Sequence, residues 1–421
     1  MPVKKNDMEL KNQHIISLTA SMLLFFSPIA LFVNVMCVLV FGRFVSFDSM
    51  ILYGVLLFFL LWSLALSLRR IKLTTIGIPL FLFLAYFITY AVHPELRKYM
   101  FSSWMDLAEN NAYWLFLNSL PAFLMIRQIW NYEILMKYLK GFSIAAILAS
   151  LGTLLGYLSL NNQPAYMYFS YDLMLSVVFA YFFFFQKKKF IFLLMAILGS
   201  GMMFFCGARG PLLCVVVAIV LYVLLLTENS TVKLLTILIT VLLVLLVAVF
   251  WQPLLTLLAN VAEGMGIESR MIEKMREGTL SDDSGRSFVR ADLTPHLNLW
   301  GHGVYGDRGL TGGRHAHNLF LELMVQYGLI FGSVICIVVV FLALAGFFTK
   351  DREKKLLFLA FFCGGIVKLM LSSSYLLKEP ALYAMLGICV SCYYKDDLIP
   401  KETNERPRII PAIKLRNQRK R

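Results

Sequence analysis

The stretch Leu319–Phe348, LFLELMVQYGLIFGSVICIVVVFLALAGFF, is an almost unbroken apolar run. About 20 apolar residues suffice to cross a hydrocarbon core about 30 Å thick, so this run predicts a membrane-spanning helix. Comparable runs precede and follow it. They cover about Ile15–Phe41 (with Pro28 as a candidate kink), Met50–Leu68, Leu73–Val92, Asn111–Ile126, Gly141–Leu160, Tyr166–Phe185, Phe190–Phe205, Pro211–Leu226, Val232–Trp251, Leu356–Leu377 and Ala381–Tyr394. Composition agrees: 59% of the chain is hydrophobic and 15% charged, where a soluble domain is nearer a quarter charged. The first run is too long, and followed by too many others, to be a cleaved signal peptide. The expected fold class is an all-α polytopic membrane protein of about twelve transmembrane helices.

Twelve spans return both termini to one side, and charge indicates which. With a cytoplasmic N-terminus, the loops at 69–72, 127–140, 186–189, 227–231 and 349–355 and the tail are cytoplasmic too. Nearly every Lys/Arg cluster falls there, as the positive-inside rule requires. The 252–318 segment falls outside, with seven Lys/Arg against eight Asp/Glu. The net charge of +14 is therefore a topology signal. Nucleic acid is not an expected partner, because no basic patch is interleaved with aromatics on a folded domain. The expected organisation is spans one to nine in 1–251, an extracytoplasmic loop with short helices in 252–318, spans ten to twelve in 319–394, and a basic tail in 395–421. That tail, with Pro400, Pro407 and Pro411, reads as a disordered cytoplasmic segment drawn to anionic membrane lipids. Cys206, Cys214, Cys336 and Cys363 read as small packed hydrophobes, and Cys389 and Cys392 lack the context of a redox motif.

The loop is the long polar segment in an otherwise apolar chain, so chemistry is expected there, at the bilayer surface. Pro253–Glu277 has the spacing of an interfacial amphipathic helix. Asp282-Asp283-Ser284 offers an N-cap that sets Arg286 and Arg290 one turn apart on one helical face, and Pro295 ends that helix. Gly301-His302-Gly303-Val304-Tyr305-Gly306 matches G-x-G-x-x-G by letters, without the strand a dinucleotide fold needs. Four of the six histidines fall between His296 and His317. His296, His302, His315 and His317, with Asp307, invite a metal reading, but no carboxylate or cysteine stands at a familiar zinc spacing. No metal and no other cofactor is expected. Solvated loop histidines are the plain alternative.

Arg209, between Gly207 and Gly210 at the lip of two apolar runs, needs an anionic partner, for which lipid phosphate is the simplest. Lys368 and Asp172 are ionisable groups set into spans, and are expected to snorkel or to pair with each other. Arg209, Arg286, Arg290 and Lys368 can thus meet at the outer leaflet. An arginine fork suits a pyrophosphate, and a neutral imidazole can take a proton from a sugar hydroxyl. Together they describe transfer from a lipid diphosphate to a hydroxyl acceptor. A flippase or other transporter is the contrasting reading. It should show inverted repeats and midplane polar groups, whereas here the polar groups gather at one face.

Gly207-Ala208-Arg209-Gly210, Ser284-Gly285-Arg286 and His315-Ala316-His317-Asn318-Leu319-Phe320-Leu321-Glu322, continued by Tyr327-Gly328-Leu329, resemble the O-antigen ligase/polymerase superfamily of bacterial membrane glycosyltransferases. The resemblance implies a GT-C-like fold in the bacterial inner membrane, with the active site on its periplasmic or extracellular face. It implies an undecaprenyl-diphosphate-linked oligosaccharide donor, a sugar acceptor on a lipid carrier or lipid A-core, metal-independent inverting transfer, and polysaccharide-assembly proteins as partners. His317 would be the base, and Arg286 and Arg209 would hold the diphosphate. The candidate set is therefore His317 and Arg286 as catalytic residues, with Arg209, Arg290, His315, Asn318 and Lys368 binding diphosphate or substrate. The short spacing from Arg286 to His317 leaves little room for the acceptor-binding helices of a lipid A-core ligase. That favours a repeat-unit polymerase, with the ligase as alternative.

Overall fold

The computed structural model describes residues 2–42, 46–67, 73–101, 111–160, 166–206, 209–231 and 285–393, with positions 233, 234, 238, 256 and 260. Among them all regular structure is helical. The α-helices are α1 (Pro2–Phe41), α2 (Ser46–Ser67), α3 (Leu73–Val92), α4 (Arg97–Met100), α5 (Asn111–Trp114), α6 (Leu120–Gln128), α7 (Tyr132–Ser159), α8 (Tyr166–Lys187), α9 (Phe190–Phe205), α10 (Arg209–Leu226), α11 (Arg286–Leu293), α12 (Gly306–Leu310), α13 (Leu319–Phe348), α14 (Arg352–Phe362), α15 (Lys368–Leu371) and α16 (Pro380–Tyr393). Pro94–Leu96 and Thr294–His296 are 3₁₀ turns, and Leu115–Ser119 and Cys363–Val367 are π turns.

Six helices among the described residues are long and apolar enough to cross a membrane: Met8–Phe41, Thr75–Val92, Tyr132–Ser159, Tyr168–Lys187, Arg209–Leu226 and Leu319–Phe348. Leu52–Ser67, Phe190–Phe205 and Pro380–Tyr393 are shorter apolar helices. The expected ninth run (Val232–Trp251), the interfacial helix of 253–277 and the tail from Lys395 lie outside the described residues, save isolated positions. Side-chain exposure shows which surface meets lipid. The apolar window of α8 is 72% buried, against 22% for α3 and α13, so α8 is central and the other two are peripheral. Phe179, Phe182 and Phe183 of α8 are fully enclosed, while Phe83 and Phe87 of α3 and Ile337 and Phe341 of α13 stand exposed. Large exposed apolar faces on long helices belong in hydrocarbon. The chain is a helical integral membrane protein.

Helix contacts use small residues, as expected where lipid removes the hydrophobic drive between helices. A Cβ on Gly365 would lie 2.7 Å from the Leu382 Cα, and one on Gly364 would meet the Ala381 methyl at 3.1 Å. The start of α16 therefore packs directly on the π turn. All seven cysteines are free, and Cys206, Cys214, Cys336, Cys363 and Cys389 are buried.

Three expectations about the helices change. α1 is continuous through Pro28 and begins at Pro2, not Ile15. The run expected to reach Leu377 stops at Leu371, because three serines follow. Ser373 has φ 71°, and the Ser374 hydroxyl takes partners outside its own helix, Glu322 and the Leu376 N–H. Such local bonding competes with helix. Finally, α13 is broken at Gly328, whose φ of 78° and ψ of 171° suit glycine alone.

A backbone graft fills that break. His302 N–H donates to the Val325 carbonyl at 3.0 Å and Gly303 N–H to that of Gln326 at 2.9 Å. Leu329 N–H donates to the Asn298 carbonyl at 2.8 Å. Loop 298–303 thus satisfies groups that the interrupted ladder leaves open. The approach is too close for side chains: a Cβ on Gly301 would meet the Gly328 nitrogen at 2.4 Å, and one on Gly328 the Leu299 carbonyl at 2.3 Å. The letters G-x-G-x-x-G serve this docking.

Candidate active site

The ends of α3, α8, α10 and α13 and the segment 285–318 meet on one face. Val304 N–H donates to the Thr89 hydroxyl at 2.9 Å, and the Tyr86 and Tyr305 hydroxyls lie 2.5 Å apart. Both contacts tie the segment to the end of α3. α11 carries Arg286 in its first turn and packs Val289 and Leu293 against Ala316 and Val325. Asp282, Asp283 and Ser284, the expected cap, lie outside the described residues, and Gly285 occupies the N-cap position at φ 79°. A left-handed residue there turns the chain sharply into the helix, a conformation glycine adopts without Cβ strain. Arg290 follows one turn on, its Nε 3.3 Å from the Arg286 carbonyl, as expected. The α-helix ends at Leu293, and Pro295 lies in the following 3₁₀ turn.

Asn318 caps α13, its side chain accepting the Leu321 N–H at 3.0 Å. Capping therefore falls to Asn318 and leaves His317 free of that task. His317 has φ 51°, a left-handed conformation that costs a β-carbon residue on the order of 1 kcal/mol or more. This turn sets its ring against that of His315 in a tilted arrangement, with centroids 3.9 Å apart and planes at 48°. His315 Nε2 and His317 Nδ1 are buried and, among the described residues, find no hydrogen-bond partner. Buried polar atoms are seldom left so.

Burial, reinforced by nearby cations, explains the protonation state. Burial pushes the His317 pKa down to about 4, and the nearby Arg286 and Arg290 cations add to the effect. Burial likewise holds His315 down to about 3, reinforced by His317, Arg308 and Arg286. Burial and charge thus favour the neutral form of both rings. Arg286, Arg290, His315 and His317 therefore form one electrostatic unit.

Behind the rings stands a buried polar network, in which one Glu322 carboxylate oxygen lacks a hydrogen-bond partner among the described residues. Buried Asp307 accepts the Ala316 N–H at 3.2 Å and the Gln326 amide at 2.7 Å. Tyr375 donates to the Gln326 amide oxygen at 2.6 Å, and Ser374 donates to Glu322. Burial raises the Asp307 pKa, and the adjacent Arg308 opposes that rise. Because Ala316 lies between the two histidines, this carboxylate fixes the backbone that carries both rings.

Arg209 opens α10. A Cβ on Gly210 would lie 2.0 Å from the Tyr171 hydroxyl, so Tyr171 stands against the Arg209–Gly210 turn. The Arg286 charge acts on the same hydroxyl, and the Lys368 ammonium lies 5.3 Å from the Tyr171 ring centroid. Tyr171 thus joins Arg209, Arg286 and Lys368. The expected Lys368–Asp172 pairing is not formed. Lys368 pairs with Glu379 at 2.8 Å, because the chain reverses after Leu371 and brings Glu379 back alongside. Asp172 instead accepts from Ser27, to which the Lys378 ammonium donates at 2.8 Å.

Other loop histidines are occupied locally: a His302 ring nitrogen lies 2.7 Å from the His296 carbonyl. Among the described residues no three His, Cys, Asp or Glu side chains are placed to share a metal ion. The roles of Tyr171, Gln326, Tyr375 and Glu379 escaped the sequence reading, since each lies in or beside an apolar run and gains meaning only from its neighbours in space.

Residues 193–336 match the family model described as O-antigen ligase. The match spans Arg209, Arg286, Arg290, His315, His317 and Asn318 and supports the O-antigen ligase/polymerase superfamily for this chain. No curated protein and no solved structure matches.

Proposed function

We propose that the protein is a membrane glycosyltransferase that moves a glycan from a lipid diphosphate to a sugar hydroxyl. The observation that carries the reading is the neutral His315–His317 pair, with unclaimed ring nitrogens, inside the field of Arg286 and Arg290. The acceptor oxygen attacks the anomeric carbon as His317 takes its proton. The bond from that carbon to the diphosphate breaks, and the departing lipid diphosphate leaves with the electron pair. Arg286 and Arg209 hold the charge that develops there, the kind of preorganised stabilisation worth about 10²–10³ in rate per donor. Lys368, matched by Glu379, contributes by seating Tyr171 beside the two arginines.

The donor is an undecaprenyl-diphosphate-linked oligosaccharide, and transfer occurs with inversion at the extracytoplasmic face, with both termini cytoplasmic and about twelve spans in a GT-C-like arrangement. Among the alternatives, a repeat-unit polymerase fits best. Between Arg286 and His317 there are only α11, one 3₁₀ turn and the five-residue α12, a small platform suited to a sugar on a lipid carrier. The family description favours the second reading, an O-antigen ligase acting on lipid A-core. Glycan length on the lipid carrier of a deletion strain separates them. Single repeat units are expected for the polymerase, and long lipid-linked chains would make it a ligase.

A further inference from the structure

On the opposite face, the ends of α7, α8 and α14 surround a cavity of ≈ 520 Å³. Four cations line it, Lys137, Lys140, Lys187 and Arg352, against two carboxylates, Glu133 and Glu353. The excess is two positive charges. No ion pair within 4.0 Å joins any two of the six lining groups, although the Lys187 charge acts on Glu353 at longer range.

That arrangement is unexpected for charges that serve topology alone. Glu133 and Lys137 stand at i and i+4 on one helix with the acid N-terminal, the favourable order for pairing. They nevertheless stay apart. Lys140 is held by aromatic faces, 5.7 Å from the Phe183 centroid and 5.9 Å from that of Phe192, and the charges of Lys187 and Lys189 act on it. Like charges gathered around a partly enclosed volume repel one another unless an anion enters. The cavity lies at helix ends, on the side where the Lys/Arg bias of the loops places anionic phospholipid.

We propose that this cavity binds a phosphate group, supplied by an anionic phospholipid headgroup or by a soluble phosphate compound. The site is separate from the His315–His317 pair and does not rest on the transfer reaction.

Purified full-length protein in detergent tests it. Native mass spectrometry counts retained lipid, and thermal unfolding reports affinity, with added phosphatidylglycerol, phosphatidylcholine or inorganic pyrophosphate. The variant Lys137→Gln/Lys140→Gln/Lys187→Gln removes most of the cationic lining, and each lost lysine should weaken anion binding about fivefold. Glu133→Gln removes an opposing charge from an exposed position and should tighten binding, which keeps the test decisive if the triple variant fails to fold. Retention of phosphatidylglycerol over phosphatidylcholine, lost in the triple variant or enhanced in Glu133→Gln, supports a lipid source. Stabilisation by pyrophosphate with the same charge dependence, and no preference between the lipids, supports a soluble one. Binding that neither variant alters, or no binding of either anion, overturns the proposal.

Discussion

Two groups of charge flank Tyr171, Lys368 over its ring and Arg286 acting on its hydroxyl, and they differ in how they are held. Toward Lys368, the cation is matched by Glu379 at 2.8 Å, and nearby Asp172 is reached by Lys378 through Ser27. Toward His317, two arginines stand with two neutral rings whose buried nitrogens lack partners. The first population is compensated and holds structure. In the second, burial and the nearby arginine charges hold both rings in the neutral form. Residue type alone does not tell the two apart, since both use basic residues.

The comparison breaks first at His317. His317→Gln keeps shape and loses the ability to take up a proton, so single-turnover transfer should fall about 10²–10⁴-fold while donor affinity survives. Near-normal turnover would move the base elsewhere, with His315 next in line.

Lys368→Met should fail differently. It leaves the buried Glu379 carboxylate without its cation, a change that typically costs about 3–5 kcal/mol of stability. Thermal unfolding should show the loss, and Lys368→Met/Glu379→Leu should recover most of it. A Lys368→Met protein of unchanged stability would mean that the pair is not structural.

Arg286→Lys tests whether the second population works as geometry or as charge. A point charge cannot replace a planar fork, so transfer should drop about 10²–10³-fold at equal protein level. Full activity in the lysine variant would take Arg286 out of the diphosphate site.

The smallest effect is a displaced pH limb. An imidazole ordinarily titrates near 6.5, but the His317 pKa is lowered to about 4 by burial and by Arg286 and Arg290. A lowered pKa keeps the proton-accepting form down to that pH. The acid limb of kcat/KM should therefore lie near 4, with little change across neutrality. Bound diphosphate offsets the two arginines, so the limb of kcat should lie higher than that of kcat/KM. A kcat/KM limb at 6.5 or above would place His317 in water, away from both cations.

Apolar run length, charge bias and the Arg286–Arg290 spacing were readable from the chain because each is a local property. The break at Gly328 was not, since its cause is the backbone of residues 298–303, brought there by tertiary folding. The Lys368–Glu379 pair was missed for a related reason. Helical reading carried the run on to Leu377, whereas the serines at 372–374 end it early and fold Glu379 back. Asp307 was visible only as a metal-ligand candidate, because its bond to Ala316 N–H depends on the loop closing. Local pattern located the candidate site, and long-range hydrogen bonding fixed its form.

The graft of loop 298–303 into the broken helix has an evolutionary consequence. The segment carrying the histidines is anchored at that graft and again where Asp307 holds Ala316. Between these anchors, the exposed turn around Gly312 and Gly313 can lengthen or change composition at little cost in closure entropy, without displacing His317. Related chains could thus remodel this one short turn while keeping the paired histidines in place.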